Sequence, residues 1–274
     1  MAGSSTPPWP RHPRYLAVPS SLFREVDEPL RTFYAALLAR ALVVYRVEEI
    51  VVYKEGGVSP RYLVDVMSYL SVPQYLRKKI FPRKKSLKYV GVAPPIAAPS
   101  HPRKGDEAEY REGLVVEKEK GYVYVDAGLG SPIRVKGGAR VGDLVLIKKR
   151  GGKWVLENGR PPFYWRYTVS VAEGLGDAIK TFRGRGAVIV ATSRKGRDVR
   201  GVFDFFRSIP LGKGVALLFG LWARGLYEVA DDEGFSLEER VDAVVNFIPG
   251  QGARTVRTLE AVHASLAIVN VLVD

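Results

Sequence analysis

The chain has no cysteine, few histidines and no long apolar run, and each shortage excludes a class of protein. Without cysteine there are no disulfides, thiol nucleophiles, cysteine zinc sites or iron–sulfur clusters. His12, His101 and His263 are far apart in sequence, which argues against a histidine metal site or a catalytic triad. No apolar run reaches the roughly 18 residues of a membrane helix. We therefore expect a cytoplasmic protein with no metal and no membrane partner.

Amide side chains are scarce as well, with two glutamines and three asparagines. Together with abundant charge, this composition is typical of an organism that grows at high temperature. The 274 residues are 46% hydrophobic and 26% charged, as expected for a globular protein. The 42 Lys and Arg against 29 Asp and Glu give a net charge of +13, which indicates a polyanionic partner such as nucleic acid.

The spacing of apolar residues predicts two α/β segments separated by a small β domain. Residues 1–13 are rich in proline and are expected to be a mobile tail. Residues 14–92 and 163–274 alternate apolar strands with helices and are expected to form one discontinuous α/β domain. Residues 93–162 contain about five short runs that end at glycines, which predicts an antiparallel barrel inserted into that domain.

Two glycine-containing segments have the outline of nucleotide-binding motifs but lack required positions. Gly174 and Gly176 follow a predicted strand, yet Ile179 stands at the third glycine position of a dinucleotide fingerprint. The LGKG segment at 211–214 lacks the upstream glycine and the Ser or Thr of a P-loop. A nicotinamide enzyme and a P-loop NTPase are both poor interpretations.

Three other loops follow predicted strands in the C-terminal half, at 192–196 (TSRKG), 219–226 (FGLWARGL) and 246–257 (NFIPGQGARTVR). Ligands bind outside the carboxyl ends of strands in α/β sheets, so all three loops are expected at one pocket. Their glycines allow backbone amides to approach a ligand closely.

In this order the loops resemble those of the SPOUT, or α/β-knot, RNA methyltransferases. Phe219, Gly220, Gly225 and Leu226 match the F-G-x-E-x-x-G-L motif of the SpoU-like enzymes, and Ile248, Pro249 and Gly252 match I-P-x-x-G. The chain is most similar to an archaeal and eukaryotic branch with an inserted OB-like domain. That branch shares PSS at 19–21, PQYLRKKIFP at 73–82, YREG at 110–113, TSRKG at 192–196 and IPGQGARTVRTLEA at 248–261. The resemblance extends over about 15–271.

The resemblance implies a parallel α/β sheet with a deep trefoil knot, interrupted by an OB-like β-barrel. It also implies a homodimer, with the acceptor RNA bound across the dimer interface. The cofactor is expected to be S-adenosylmethionine, held bent between the three loops. The residues expected to bind it are Thr192, Ser193, Gly196, Phe219, Gly220, Gly225, Leu226, Ile248, Pro249, Gln251, Gly252, Thr255 and Val256.

The catalytic residues of the SpoU-like enzymes do not carry over to this chain. Trp222 stands where those enzymes have glutamate, and Val256 and Thr258 stand near the Ser and Asn of their third motif. The remaining catalytic candidates are the loop cations Arg224 and Arg257 and the possible base Glu260.

The stretch 77–85 carries six cations in nine residues and no acid, which indicates either phosphate contacts or a solvated surface. The RNA-binding candidates are Arg77, Lys78, Lys79, Arg83, Lys84, Lys85 and Arg194. His101, in a proline-rich loop near Arg103 and Lys104, is a further candidate.

The leading hypothesis is therefore an S-adenosylmethionine-dependent methyltransferase that acts on a nitrogen or oxygen of structured RNA, with rRNA or tRNA expected. A non-catalytic RNA-binding protein with the same fold and a basic DNA-associated protein remain the alternatives. Neither charge nor motif spacing identifies the modified atom.

Overall fold

The computed structural model describes residues 6–103 and 105–274, which form two β-sheets and the helices around them. The strands are β1 Arg14–Pro19, β2 Glu49–Tyr53, β3 Tyr110–Glu119, β4 Tyr122–Asp126, β5 Ile133–Lys136, β6 Leu144–Arg150, β7 Lys153–Glu157, β8 Thr168–Ala172, β9 Val188–Asp198, β10 Val215–Leu218 and β11 Ala243–Asn246. The α-helices are α1 Leu30–Val44, α2 Arg61–Ser71, α3 Gln74–Ile80, α4 Leu175–Gly184, α5 Phe203–Arg207, α6 Leu226–Asp232, α7 Leu237–Arg240 and α8 Thr258–Val273. Short 3-10 helices lie at Lys85–Leu87, Val90–Val92 and Val199–Val202.

The larger sheet has six strands in the order β11-β9-β10-β1-β2-β8, and every pairing in it is parallel. Strands β2 and β10 are buried along their whole length. This is expected for central strands of a parallel sheet, because helices cover both faces. The predicted parallel α/β sheet is confirmed.

One side of this sheet packs against α4, α6 and α7. Phe182, Val229 and Leu237 belong to one apolar core with Ile189 and Leu218 of the sheet. The glycine pair that begins α4 accommodates a carboxylate: Leu175 N and Gly176 N donate to Glu233 at 2.6 and 2.8 Å. In the sequence, the start of α4 resembled part of a dinucleotide-binding motif. In the structure its backbone N–H groups bind the Glu233 carboxylate of the same chain instead.

The smaller sheet has five antiparallel strands in the order β5-β4-β3-β6-β7. Val115, Val123, Val135 and Ile147 form its core. The two edge strands approach each other, since a Cβ at Gly137 beside β5 would lie 2.6 Å from Leu156 Cδ1 of β7. The short apolar runs that predicted these strands have the right number and order.

Chain contacts divide the molecule into two units. The first contains Tyr69–Lys84, Ile96–Arg166 and the N-terminal segment up to Trp9; the second contains Pro10–Ser68, Lys85–Pro95 and Tyr167–Asp274. The predicted insertion 93–162 thus overlaps the first unit, which also includes α3. In the segment expected to be a tail, Pro7 O accepts from Tyr164 N at 2.9 Å and Trp9 Nε1 donates to Pro161 O at 2.8 Å. Residues 1–5 lie outside the described residues.

Within the described ranges, no helix is long and apolar enough to cross a bilayer. The same residues include no cluster of three or more His, Asp or Glu side chains placed to hold a metal ion.

Candidate functional site

The three loops predicted to meet do line one cavity, of about 770 Å³, in the second unit. The first lies within β9, near its carboxyl end, and the other two follow β10 and β11; the three strands are neighbours in the sheet order. Because the strands are parallel, their carboxyl ends reach the same edge of the sheet, where ligands bind in α/β folds. The cavity walls are therefore a direct consequence of sheet topology.

The first loop, 192–196, is an excursion within β9. The ladder with β11 passes from Val244 opposite Ala191 to Val245 opposite Arg197, so the residues between are left out of it. Thr192 Oγ1 donates to Leu218 O at 2.8 Å, which ties the start of the loop to β10. A Cβ at Gly196 would lie 2.7 Å from the backbone of Val244 and Val245, so this position needs glycine for close packing.

The second loop, 219–226, is held through its carbonyls. Phe219 O accepts from Tyr53 Oη at 2.9 Å, and Gly220 O accepts from Thr258 Oγ1 at 2.9 Å. Burial raises the pKa of Tyr53 well above its ordinary value, so its hydroxyl keeps the proton that it donates. A Cβ at Gly220 would lie 2.8 Å from Leu226 N and collide with the loop's own backbone.

The third loop, 246–257, is braced by its amide side chains. Asn246 Oδ1 accepts from Ile248 N at 3.0 Å, and Asn246 Nδ2 donates to Arg194 O at 3.3 Å, which joins the third loop to the first. Gln251 Nε2 donates to Ala253 O at 2.9 Å. Two of the few amides in the sequence thus stabilise this one loop.

Helix α8 forms another wall of the cavity with the small residues Thr258, Ala261 and Ser265. Ser265 is 0% exposed, and its hydroxyl has no hydrogen-bond partner among the described residues. A buried, unpaired hydroxyl costs about 1–3 kcal/mol of stability. At a cavity wall, such a group is suited to pair with a bound molecule.

Most of the residues predicted to bind the cofactor line the cavity. They are Thr192, Ser193, Phe219, Gly220, Gly225, Leu226, Ile248, Gln251, Thr255 and Val256. Gly196, Pro249 and Gly252 belong to the same loops but are not among the lining residues. A Cβ at Gly252 would meet nothing within 4 Å, so that glycine faces open space.

The three catalytic candidates lie outside the lining. Arg257 precedes α8, and its backbone N donates to Glu260 Oε2 at 2.8 Å, a capping bond that occupies the Glu260 carboxylate. Arg224 pairs with buried Glu55 at 3.2 Å and with Asp232, and it lines a separate cavity of about 560 Å³.

The lining also includes Glu228, Lys195 and Arg254, which the sequence did not single out, beside Arg194, which it did. Among the described lining residues, the single carboxylate is Glu228, 3.6 Å from Lys195 Nζ. Its own backbone N–H, together with Lys195, lowers the pKa of Glu228 and makes it a weak base. Arg194, Lys195 and Arg254 are exposed around the cavity. These cations are far from Glu228 in sequence, so the sequence could not predict that they lie together; the order of the strands brings them to one cavity.

Two cations of the basic stretch 77–85 already bind groups within the first unit. Arg77 donates to Val72 O at 2.9 Å and Leu70 O at 3.1 Å, and Lys79 pairs with Asp126. Lys84 is partly buried, whereas Lys78, Arg83 and Lys85 are exposed. Arg194 lies at the loop cavity and donates to Arg254 O at 3.4 Å.

His101 contributes to packing in the first unit. Its Nε2 lies 3.1 Å from Leu70 O and its Nδ1 lies 2.9 Å from Ser100 Oγ. Burial, and then the charge of Arg77, lower the pKa of His101 to about 4, so the ring is neutral at pH 7. Lys104 lies outside the described residues.

Comparison with known proteins shows which family the chain belongs to. A family model described as "Putative RNA methyltransferase" matches residues 14–269. The chain is 31% identical over 292 residues to a human 28S rRNA (uridine-N(3))-methyltransferase, covering 92% of this chain and 76% of that protein. It is also 31% identical to an uncharacterized protein of Halobacterium salinarum, covering 92% of this chain and 97% of the other.

A solved structure of similar outline is the SpoU methyltransferase AviRb from Streptomyces viridochromogenes in complex with AdoMet. The TM-score is 0.40 at 10% identity, and the alignment covers 97% of this chain and 59% of that one.

Proposed function

Because the chain belongs to the RNA methyltransferase family whose model spans it, we propose that this S-adenosylmethionine-dependent enzyme methylates N3 of a uridine in large-subunit rRNA. The observation that carries this proposal is the 770 Å³ cavity built from the three loops at the carboxyl edge of the sheet. The uridine and its N3 atom are taken from the activity of the human relative.

The cavity has the chemistry to hold the methyl donor. Leu221, Ile248 and Val256 line the cavity, are partly exposed and provide apolar surface for an adenine ring, and the glycines of the second loop expose backbone groups at its edge. The unpaired Ser265 hydroxyl offers a hydrogen bond from α8. S-adenosylmethionine, when bound, supplies an electrophilic methyl group on a sulfonium.

The charges around the cavity favour loss of the proton from uridine N3. The imide N–H must be lost before or during transfer, because methylated N3 carries no hydrogen. Glu228 is a weak base, whereas Arg194, Lys195 and Arg254 place positive charge nearby. We infer that these cations stabilise the anionic imide, so the proton leaves to solvent and N3 becomes the nucleophile.

The same proposal includes a trefoil knot in the C-terminal chain. Three facts support it. Strand β11 lies beyond β9 at the sheet edge, and Gly196 has no room for a Cβ against β11. Helix α8 then returns to the first strand, where buried Arg14 donates to Asn270 Oδ1 at 2.8 Å. Tracing the backbone in an experimental electron-density map tests the crossing.

We also propose that the antiparallel sheet is an OB-like barrel and that its unit binds RNA. Its strand order and the approach of β5 to β7 support the barrel. Tyr122 and Tyr124 alternate with buried valines on β4, and the Arg134 guanidinium lies 3.5 Å from the Tyr122 ring centroid. Such aromatic and cationic side chains suit single-stranded RNA.

A homodimer is the proposed assembly. After Glu260, α8 carries no charged residue, and Val271 is 80% exposed on its outer side beside partly exposed Ile268. Exposed apolar side chains on one helix face mark a surface that a partner covers, and a second copy of this chain would cover the face. Light scattering should give a dimer for the wild type and a monomer for Val271→Glu.

Methylation of purified rRNA tests the function. Large-subunit rRNA from cells lacking the enzyme is incubated with protein and methyl donor, digested, and examined by nucleoside mass spectrometry. We expect 3-methyluridine to appear with wild-type protein and to form about 100-fold more slowly with Gly220→Ala. A new methyl group on a ribose or on another base would refute the N3 assignment. The absence of any new methylated nucleoside would refute rRNA as the substrate.

A further inference from the structure

A large aromatic side chain is exposed beside the cavity. Trp222, in the second loop, is 54% exposed and is among the residues lining the cavity. Tryptophan is usually well buried, because its indole has a large apolar surface. An exposed indole beside a ligand cavity marks a surface that a partner covers.

The loop that carries Trp222 is fixed at both ends. Leu221 N donates to Arg224 O at 2.9 Å, which closes a tight turn around Trp222. Thr258 Oγ1 holds Gly220 O on one side of the turn, and the ion pair of Arg224 with buried Glu55 holds the other. The indole is therefore presented by a braced turn, which limits the entropy lost when a partner binds.

The surroundings of Trp222 select an anionic aromatic partner. Among the described lining residues of this cavity, three exposed cations, Arg194, Lys195 and Arg254, accompany one carboxylate, that of Glu228. Phosphodiesters carry the complementary charge, and nucleobases provide the flat ring that an indole stacks on. An RNA strand carries both groups, with phosphates on either side of each base.

We propose that Trp222 is the stacking platform for the target base of the RNA, at the mouth of the cavity. The cations hold the flanking phosphates while the base leaves its own stack and lies against the indole. This inference rests on the proposed function, since it needs RNA as the substrate. It assigns the position that holds glutamate in SpoU-like enzymes a positioning role, with no part in proton transfer.

The first experiment separates donor binding from RNA binding. Trp222→Ala and Trp222→Phe are compared with Leu211→Ala, which truncates a residue that is 78% exposed and does not line the cavity. For Trp222→Ala we expect S-adenosylhomocysteine affinity within about twofold of wild type and kcat/KM for rRNA about tenfold lower. Trp222→Phe should restore most of that loss, and Leu211→Ala should behave as wild type.

A second readout needs no catalysis. A large-subunit rRNA transcript substituted with 5-iodouridine is irradiated with the protein and S-adenosylhomocysteine, and the cross-linked peptide is sequenced. We expect the cross-link at Trp222. The absence of this cross-link overturns the proposal that Trp222 stacks on the target base. So does a loss of S-adenosylhomocysteine affinity in Trp222→Ala that is as large as its loss of kcat/KM. Failure of the uridine-N3 assignment shows up separately, as a different methylated nucleoside made by the wild type.

Discussion

The two units use their cations in different ways. In the parallel-sheet unit, Arg194, Lys195 and Arg254 come from two different loops and remain exposed around one cavity. In the antiparallel-sheet unit, the densest basic stretch of the sequence contains Arg77 and Lys79, whose charges already bind backbone carbonyls and Asp126. A run of charge in sequence is thus a weaker guide to a binding surface than charges that the topology brings together.

The largest expected effect follows from the tight packing of the second loop. Gly220→Ala places a Cβ 2.8 Å from Leu226 N and must shift the loop, whereas Gly252→Ala meets nothing within 4 Å. We expect Gly220→Ala to lower methyl transfer about 100-fold, since small misplacements at a reacting site are this costly. Gly252→Ala should stay near wild type. Calorimetry with S-adenosylhomocysteine and a thermal melt measure binding and folding separately, and wild-type binding by a folded Gly220→Ala would contradict the assignment.

This pair of glycines also shows what the sequence could predict. The motifs located all three loops, and the family match confirms the RNA methyltransferase function that they predicted. They did not distinguish Gly220, which the backbone encloses, from Gly252, which faces open space. That difference depends on which chain segment packs alongside, and local spacing contains no such information.

Parts of the site that combine distant segments escaped sequence reasoning for the same reason. Glu260 looks like a base from its type and position, yet its carboxylate caps α8. Ser265 looks like an ordinary helix residue, yet the helical period places it behind Thr258 and Ala261 on the cavity wall. The α/β alternation and the five short strands, in contrast, are local patterns, and the strands lie where these patterns placed them.

The next effect concerns the stability of the antiparallel-sheet unit in acid. The pKa of His101 is lowered from 6.5 to about 4, so the folded state resists protonation that the unfolded chain accepts. This stability is complete above pH 6.5 and is lost as the pH falls toward 4. At about pH 5 we expect a loss of about 2 kcal/mol relative to about pH 7. Amide exchange in β4 measures it locally.

The matched variant for this effect is His101→Gln, which cannot titrate in this range. Its amide can still donate to Leu70 O, and Arg77 and Arg166 keep their charges. The difference in pH dependence between wild type and variant isolates the imidazole from the carboxylates of the unit. Parallel pH profiles for the two proteins would contradict the assignment of a neutral, buried His101.

A smaller effect, on the salt dependence of RNA affinity, is expected from the basic stretch 77–85. The structure reduces the number of cations there that are free to bind phosphate. Replacing Lys78, Arg83 and Lys85 with Ala removes three exposed cations, while Arg77 and Lys79 keep their internal partners. If all three touch phosphate, the salt slope of log affinity falls by about 2, equivalent to about 20-fold between roughly 50 and 200 mM salt.

The control for the salt experiment comes from the other unit. Arg200→Ala removes an exposed cation that pairs with Asp198 and does not line the loop cavity. Because it is not expected to touch phosphate, it should leave the slope unchanged. RNA affinity is measured by anisotropy at several salt concentrations, and an unchanged slope in the triple variant would remove this stretch from the RNA-binding surface.

The smallest effect is the most specific for the cavity, because stability and affinity should move in opposite directions. Ser265→Ala removes a hydroxyl that is fully buried without a partner, so the free energy of unfolding of the unliganded protein should stay the same or rise. The hydrogen bond that the hydroxyl offers to the methyl donor is lost, and S-adenosylhomocysteine should bind up to about tenfold more weakly. Thermal melts and calorimetry measure the two quantities on one sample. A hydroxyl that served only packing would lower stability and leave the affinity unchanged. That result would separate α8 from the donor site and leave the three loops as its only described walls.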